Sequence, residues 1–355
     1  MQEMLRFSIL FLLMSLVLQV GYAQAVCLRA IASESDASVQ DMDSLRHVSR
    51  QACDFISRNE ASTLDGIFTP ERASEVRKKL SAAEQKRLDG LRSKLHVSVQ
   101  RQAIAGVEVA VLRSNTVPPE LNGKIAMYVH GGGYVLKSAV DSGGILMAHQ
   151  LGIPIVSVEY RLAPEHPFPA GLDDCMTVYK ALEKHYGADN MVAFGGSAGG
   201  GLVLAMLLKA QREGVPLPEA VGLFSPWADL TRTGDSYYSN EDRDPVLKWS
   251  KNLEYFAACY AGDLDPAAPL LSPVYGDYDQ QFPATLILSG TRDLFLSNAV
   301  RLSRKMHQGQ VNAELRIWEE MFHGFDLMPD LPEGEQARRE MAEFLLRALK
   351  NTPHR

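Results

Sequence analysis

Val192-Ala193-Phe194-Gly195-Gly196-Ser197-Ala198-Gly199-Gly200-Gly201-Leu202-Val203-Leu204 joins an apolar run to a glycine-framed serine and then continues as a second apolar run. The first run predicts a short buried strand, and the second predicts a helix that ends near Gly214. Glycines on both sides of Ser197 let a strand and a helix approach closely, so the serine would project from a strained turn. The helix amino end would favour negative charge there. We interpret Ser197 as a candidate nucleophile, although the short motif alone also occurs by chance.

The rest of the chain predicts the architecture that would hold this turn. A hairpin is expected over 97–111, and apolar strands are expected at 125–129, 153–158, 191–194, 220–224, 284–288 and 314–318, with helical patterns between them. Alternating strands and helices predict an α/β fold with a mainly parallel sheet covered by helices on both faces. In such sheets the functional residues collect beyond the carboxyl ends of the strands.

A glycine-rich loop follows the strand at 125–129. It reads His130-Gly131-Gly132-Gly133-Tyr134, and its glycine N–H groups lack covering side chains, which is typical of a loop that binds an oxyanion opposite a serine. A phosphate-binding loop is the competing interpretation because Lys137-Ser138 follow. Leu136 stands where that motif needs a glycine, so we favour the oxyanion loop.

A serine nucleophile needs a base and an orienting acid, and on this topology the acid precedes the histidine in the chain. His323 follows the strand at 314–318 in a strand-end loop, so it is the candidate base. Asp293 follows the strand at 284–288 and is the candidate acid. Glu319 and Glu320 remain alternative acids because they lie nearer to His323 in the sequence.

Taken together, these motifs and Glu159-Tyr160-Arg161-Leu162-Ala163-Pro164-Glu165-His166-Pro167-Phe168-Pro169-Ala170 resemble the hormone-sensitive-lipase-like (bacterial family IV) carboxylesterases. The resemblance covers about 105–325 and implies an α/β-hydrolase fold, a Ser197–Asp293–His323 triad and an oxyanion hole from the N–H groups of Gly132, Gly133 and Ala198. It also implies a helical cap built from the N-terminal helices and from an insertion at about 231–261.

The chain departs from that family pattern at two places. Gly196 stands where the family commonly has Asp before the serine, and Asp-Pro-Leu-Arg-Asp is replaced by Asp293-Leu294-Phe295-Leu296-Ser297. Both changes leave the triad residues in place and put the local bracing in question. Tyr134 and Trp227 are the candidate substrate-binding residues, although aromatic residues near a cap also serve as packing.

The N-terminal residues predict export. Arg6, an apolar stretch at 7–20 and Ala23-Gln24-Ala25 are typical of a signal peptide over 1–25, which implies a periplasmic or secreted protein. We expect a polar helical extension or lid over 26–95 and the hydrolase domain over 96–355. With the leader removed, no membrane span is expected. A Cys27–Cys53 disulfide would be compatible with export.

These features predict an enzyme that cleaves small carboxylic esters, and the family resemblance implies a preference for short acyl groups. No metal or organic cofactor is required by that chemistry. The net charge of −7 and the lack of a basic block argue against nucleic acid as a partner. An amidase, deacetylase or lactonase could use the same residues, and a non-catalytic small-molecule binding protein is the alternative from another class. The oligomeric state is left open.

Overall fold

The computed structural model describes residues 48–58, 70–115 and 117–351. The described residues form a mainly parallel eight-stranded sheet in the order β1-β2-β4-β3-β5-β6-β7-β8, in which only the β1–β2 and β2–β4 pairs are antiparallel. The strands are β1 (Val97–Ile104), β2 (Val107–Ser114), β3 (Ile125–Val129), β4 (Ile155–Val158), β5 (Met191–Gly196), β6 (Ala220–Phe224), β7 (Ala284–Gly290) and β8 (Ala313–Trp318).

Helices cover both faces of this sheet. They are α1 (Arg50–Arg58), α2 (Ala73–Leu95), α3 (Ser142–Leu151), α4 (Ala170–Tyr186), α5 (Ala198–Arg212), α6 (Ser236–Ser239), α7 (Glu254–Ala261), α8 (Leu296–Gln308) and α9 (Pro332–Asn351). A π-helical turn at Trp249–Leu253 precedes α7. The predicted α/β-hydrolase architecture is therefore confirmed.

Two hydrophobic cores lie on opposite faces because strand side chains alternate. In β3, Ile125, Met127 and Val129 belong to a core that also includes residues of α4, α5 and α8. Ala126 and Tyr128 belong to a second core with residues of α3 and α9. Every residue of β3 and β6 is buried, which explains their continuous apolar sequences.

Two parts of the chain outside the sheet form the cap. Helix α2 carries residues that line the cavity described below, as do residues of the insertion at 231–261. Part of the described segment within 26–95 therefore lines a cavity, as a lid would. The predicted leader at 1–25 and Cys27 lie outside the described residues. No helix within the described ranges is both long and apolar enough to cross a membrane.

Candidate active site

Ser197 occupies the strained turn that the sequence predicted. Its backbone has φ 54° and ψ −127°, between the end of β5 and the start of α5, a conformation that L residues adopt at a cost. Its N–H donates to the Phe224 carbonyl at 2.8 Å, and its carbonyl accepts from Trp227 N at 2.9 Å. Hydrogen bonds to the last residue of β6 and to the chain after it therefore hold the strained residue in position.

Close backbone packing explains the glycines that frame Ser197. A Cβ at Gly195 would lie 2.6 Å from the carbonyl carbon of Gly199, and a Cβ at Gly199 would lie 2.0 Å from the carbonyl oxygen of Val129. Real Cβ atoms do not approach so closely, so both positions require glycine. Gly196 differs, because a Cβ there would make its nearest contact at 3.6 Å. Close packing therefore does not require glycine at position 196.

We expect Gly199→Ala to destabilise the protein by about 3 kcal/mol, at the upper end of the usual cost of overpacking, because the backbone carbonyl of Val129 cannot move freely. Gly196→Ala is the matched control and should change the unfolding free energy by less than about 1 kcal/mol. Chemical denaturation of both variants measures the difference. Equal stabilities would contradict the close packing between α5 and β3.

The loop at 130–133 lies directly beside the serine. A Cβ at Gly131 would lie 3.2 Å from the Ser197 Cβ, and Gly132 and Gly133 have φ values of 98° and 64°. The Tyr160 hydroxyl donates to the His130 carbonyl at 2.9 Å, and the two rings stack at 4.3 Å. Tyr160 therefore supports the loop from the motif at 159–167. Ala198 is the first residue of α5 and adjoins the same turn.

Asp293 and His323 meet at the ends of β7 and β8. His323 Nδ1 lies 3.1 Å from Asp293 Oδ1, within hydrogen-bonding distance. The other Asp293 oxygen accepts from the Ser289 hydroxyl at 2.8 Å. Glu320, one of the alternative acids, instead forms an ion pair with Arg292. The geometry thus favours Asp293 as the partner of His323.

Three buried carboxylates surround His323. Burial lowers the pKa of the imidazole, but Asp293, Asp244 and Asp326 together raise it above its ordinary value. Burial raises the pKa of Asp244 and of Asp326 to about 6 each. Burial favours the protonated form of both carboxyl groups more than in an exposed carboxyl group, because a buried charge loses its hydration.

The charge on Asp326 should reduce stability at alkaline pH. Because the pKa of Asp326 is higher in the folded than in the unfolded protein, the protonated carboxyl group favours folding. This contribution to the free energy of unfolding is lost as the pH rises through about 6. We expect Asp326→Asn to be more stable than the native protein by about 1 to 3 kcal/mol near pH 8, with the gain vanishing below about pH 4. Denaturation at both pH values tests this.

Asp330→Asn is the control for that comparison, since Asp330 is a solvent-exposed carboxylate on the same segment, 3.4 Å from Lys94. Its stability should follow the native protein at both pH values. A gain for Asp326→Asn that stayed the same at low pH would contradict an origin in buried charge.

Ser197, His323, Gly132 and Gly133 line one cavity of about 650 Å³. Helix α2 contributes Arg77, Leu80, Ser81, Ala83, Glu84 and Arg87, and the cap insertion contributes Pro245, Val246, Leu247, Asn252, Leu253 and Phe256. A Cβ at Gly133 would lie 2.4 Å from the Phe256 ring, so this ring packs directly on the glycine loop. Both parts of the cap therefore line the cavity.

The structure does not place Tyr134 and Trp227 in the lining of this cavity, which argues against their predicted role in substrate binding. Tyr134 stacks on Tyr260 with ring centroids 3.9 Å apart, and Trp227 stacks on Phe295 at 5.4 Å. Both side chains are buried, with exposures of 2% and 0%. These rings form a packing layer behind the site, and Phe295 continues it with an edge contact to His323.

Sequence reasoning missed two buried residues near His323. Asp326 follows it by three positions and lines the cavity. Asp244 lies in the cap insertion and bonds to the chain beside Asp293. Position relative to His323 could have indicated Asp326, but no local pattern indicates that the cap insertion reaches the Asp293 loop.

Comparison with known proteins agrees with this geometry. Residues 126–327 match the model of a family with the alpha/beta hydrolase fold. An acetyl-hydrolase of Streptomyces hygroscopicus is 33% identical over 232 residues, covering 64% of this chain and 77% of the relative.

Two solved structures are similar to most of the chain. The crystal structure of esterase E25 has a TM-score of 0.79 and 32% identity, covering 85% of this chain and 95% of its own. A hormone-sensitive lipase from a metagenome library has a TM-score of 0.67 and 29% identity, covering 78% and 98%. The chain therefore belongs to the alpha/beta-hydrolase family, as a hormone-sensitive-lipase-like carboxylic ester hydrolase.

Proposed function

We propose that Ser197, His323 and Asp293 form a catalytic triad that hydrolyses short-acyl carboxylic esters. The observation that carries the proposal is the placement of Ser197 and His323 in one cavity beside Gly132 and Gly133, with Asp293 bonded to His323. Nucleophile, base, acid and oxyanion donors thus come from four strand ends of one sheet, as this reaction requires.

The reaction would proceed through an acyl-enzyme. His323 Nε2 takes the Ser197 proton while Oγ attacks the ester carbonyl carbon, and the N–H groups of Gly132, Gly133 and Ala198 bind the resulting oxyanion. The intermediate collapses as the C–O bond breaks, and the imidazolium gives its proton to the departing alcohol. A water then attacks the acyl carbon with His323 as base, which releases the acid and restores Ser197.

Two observations support short acyl groups. The relative from Streptomyces hygroscopicus carries the name acetyl-hydrolase. The Phe256 ring packs on Gly133 and lines the cavity beside the loop that would bind the carbonyl oxygen. A small acyl group fits beneath this ring more readily than a long chain.

A series of p-nitrophenyl esters from acetate to palmitate tests the proposal, with amide and lactone analogues assayed in parallel. We expect kcat/KM to be highest for acetate or butyrate and to fall with longer chains. A maximum at palmitate would contradict the short-acyl preference. Turnover of amides or lactones without turnover of esters would replace the ester assignment with one of those substrate classes.

The acid side of the pH profile should report His323. Asp293, Asp244 and Asp326 raise the pKa of His323. The imidazole is therefore mostly neutral, and able to act as a base, only at a higher pH than an ordinary histidine requires. We therefore expect kcat/KM for a short ester to fall on the acid side with an apparent pKa above about 6.5. A profile that stays flat down to about pH 5 would contradict the role of His323 as base.

We also propose that residues 1–25 direct export to the periplasm or medium, on the strength of the apolar stretch and the Ala23-Gln24-Ala25 site. The N-terminal sequence of the protein recovered from each cell fraction tests this. A leader removed near Ala25 in an exported fraction is expected, and an intact leader in cytoplasmic protein would contradict it.

A further inference from the structure

The cap insertion is fastened to the loop that carries Asp293. Asp244 is 1% exposed, and its Oδ2 accepts a hydrogen bond from the backbone N–H of Leu294 at 2.9 Å. Its Oδ1 accepts from Val246 N at 2.9 Å and Leu247 N at 3.2 Å. One buried carboxylate therefore links the residue next to Asp293 with two residues of the cavity wall.

Further bonds from the same segment reach the same loop. The buried Asn240 amide donates to the carbonyls of Thr291, at 3.1 Å, and Asp293, at 2.9 Å. Ser236 and Ser297 exchange two backbone-to-hydroxyl bonds of 3.0 and 2.9 Å. The cap insertion thus forms hydrogen bonds to the Asp293 loop at three places, near Thr291, at Leu294 and at Ser297.

The departure from the family pattern allows the hydrogen bond between Leu294 and Asp244 to form. Where the family sequence has proline after the acid, this chain has Leu294. Proline has no backbone N–H, so it cannot donate to a carboxylate at that point. The Asp244–Leu294 bond is therefore present in this chain and cannot form where proline follows the acid.

We propose that Asp244 is a positioning residue that orients Asp293 toward His323 by holding the Leu294 N–H, and that it thereby couples the cavity wall to the triad. The inference rests on the proposed ester hydrolysis. Asp244 is absent from the cavity lining, so it acts through Asp293 and not by contact with substrate.

The Asp244→Asn substitution should remove the bond to Leu294 while it keeps the bonds to Val246 and Leu247. An asparagine can keep its Oδ1 bonds to Val246 and Leu247, but its NH₂ group then faces the Leu294 N–H, donor against donor. The cavity wall stays in place while the hold on the acid loop is lost. We expect kcat for a short ester to fall about 10- to 100-fold, as small misplacements of a catalytic group do, while KM changes less than about threefold.

Two readouts separate positioning from a general loss of structure. The charges of Asp293, Asp244 and Asp326 raise the pKa of His323, so removing the charge of Asp244 should move the acid limb of the kcat/KM profile to lower pH. The downfield NMR proton resonance of the His323–Asp293 hydrogen bond should weaken or shift. Partial unfolding would lower activity without moving the acid limb.

The double-mutant cycle of Asp244→Asn with Leu294→Pro tests the bond itself. Each single change removes the same bond, so the double variant should lose little more activity than the more impaired single variant. Asp242→Asn, an exposed carboxylate two residues away on the same segment that pairs with Lys248, is the control and should match the native protein. Thermal melts establish that each variant is folded at the assay temperature.

Two outcomes would overturn the inference. In the first, the Asp244→Asn enzyme is folded and has the same kcat, the same acid limb and the same proton resonance as the Asp242→Asn control. In the second, the activity losses of Asp244→Asn and Leu294→Pro are fully additive in the double variant. The proton resonance needs no turnover. Native protein that shows it but hydrolyses no ester would refute the proposed function, and the response of the resonance to Asp244→Asn would still decide the role of Asp244.

Discussion

Replacing Ser197 with alanine should lower kcat for a short-acyl ester by about 10⁵- to 10⁶-fold, as expected when the attacking atom is removed from a serine hydrolase. The fold should survive, since the Ser197 bonds to Phe224 and Trp227 use backbone atoms only. Alanine also keeps the Cβ that already exists at this strained turn. The KM measured on any residual activity should change little.

Ser303→Ala is the control for that experiment because Ser303 is a buried serine on α8, outside the cavity lining. Its kcat should stay within about twofold of the native value. Initial-rate kinetics with p-nitrophenyl butyrate provide the measurement, and thermal melts exclude unfolding. Activity in Ser197→Ala above a thousandth of the native rate would mean that another group attacks the ester.

The second large effect is expected for Asp293→Asn, which should lower kcat by about 10⁴-fold. The carboxylate accepts from His323 Nδ1 at 3.1 Å and from Phe295 N at 2.9 Å. Both bonds go to the same oxygen, Oδ1, so an asparagine that places its NH₂ group there loses the Phe295 bond and favours the wrong tautomer of His323. Loss of the negative charge also removes support for the imidazolium that forms during the reaction.

Asp277→Asn is the matched control, as Asp277 is a solvent-exposed carboxylate paired only loosely with Lys305 at 3.9 Å. It should retain the native kcat. An Asp293→Asn enzyme with more than a tenth of native activity would show that a different acid orients His323. Glu319 and Glu320 would then be tested in the same way.

Much of the fold was predictable because its signals are local. The strands at 125–129 and 220–224 are buried on both faces, so their apolar runs stand out, and the structure places both with the predicted bounds. The strand predicted at 153–158 begins two residues later, at Ile155, which is the first residue of β4 that pairs with β3. Turn-forming glycines at 195 and 199 were recognisable because close backbone approach permits no other residue.

The parts that sequence reasoning missed depend on long-range packing. Tyr134 and Trp227 follow strand ends, as cavity residues do, but whether a ring faces a cavity or a second ring depends on Tyr260 and Phe295, which lie far along the chain. Asp244 likewise acquires its importance from a contact with Leu294, fifty positions away. A pattern within a short window cannot report such a contact.

Covalent capture of the acyl group tests the central claim most directly. Native protein would be mixed with p-nitrophenyl acetate, quenched in acid within the first turnover and digested, and the peptides would be analysed by mass spectrometry beside Ser197→Ala. We predict one acetyl group on Ser197 in the native protein and none in the variant. Acetyl groups on another residue, or equal labelling of both proteins, would contradict the assignment of Ser197 as the nucleophile.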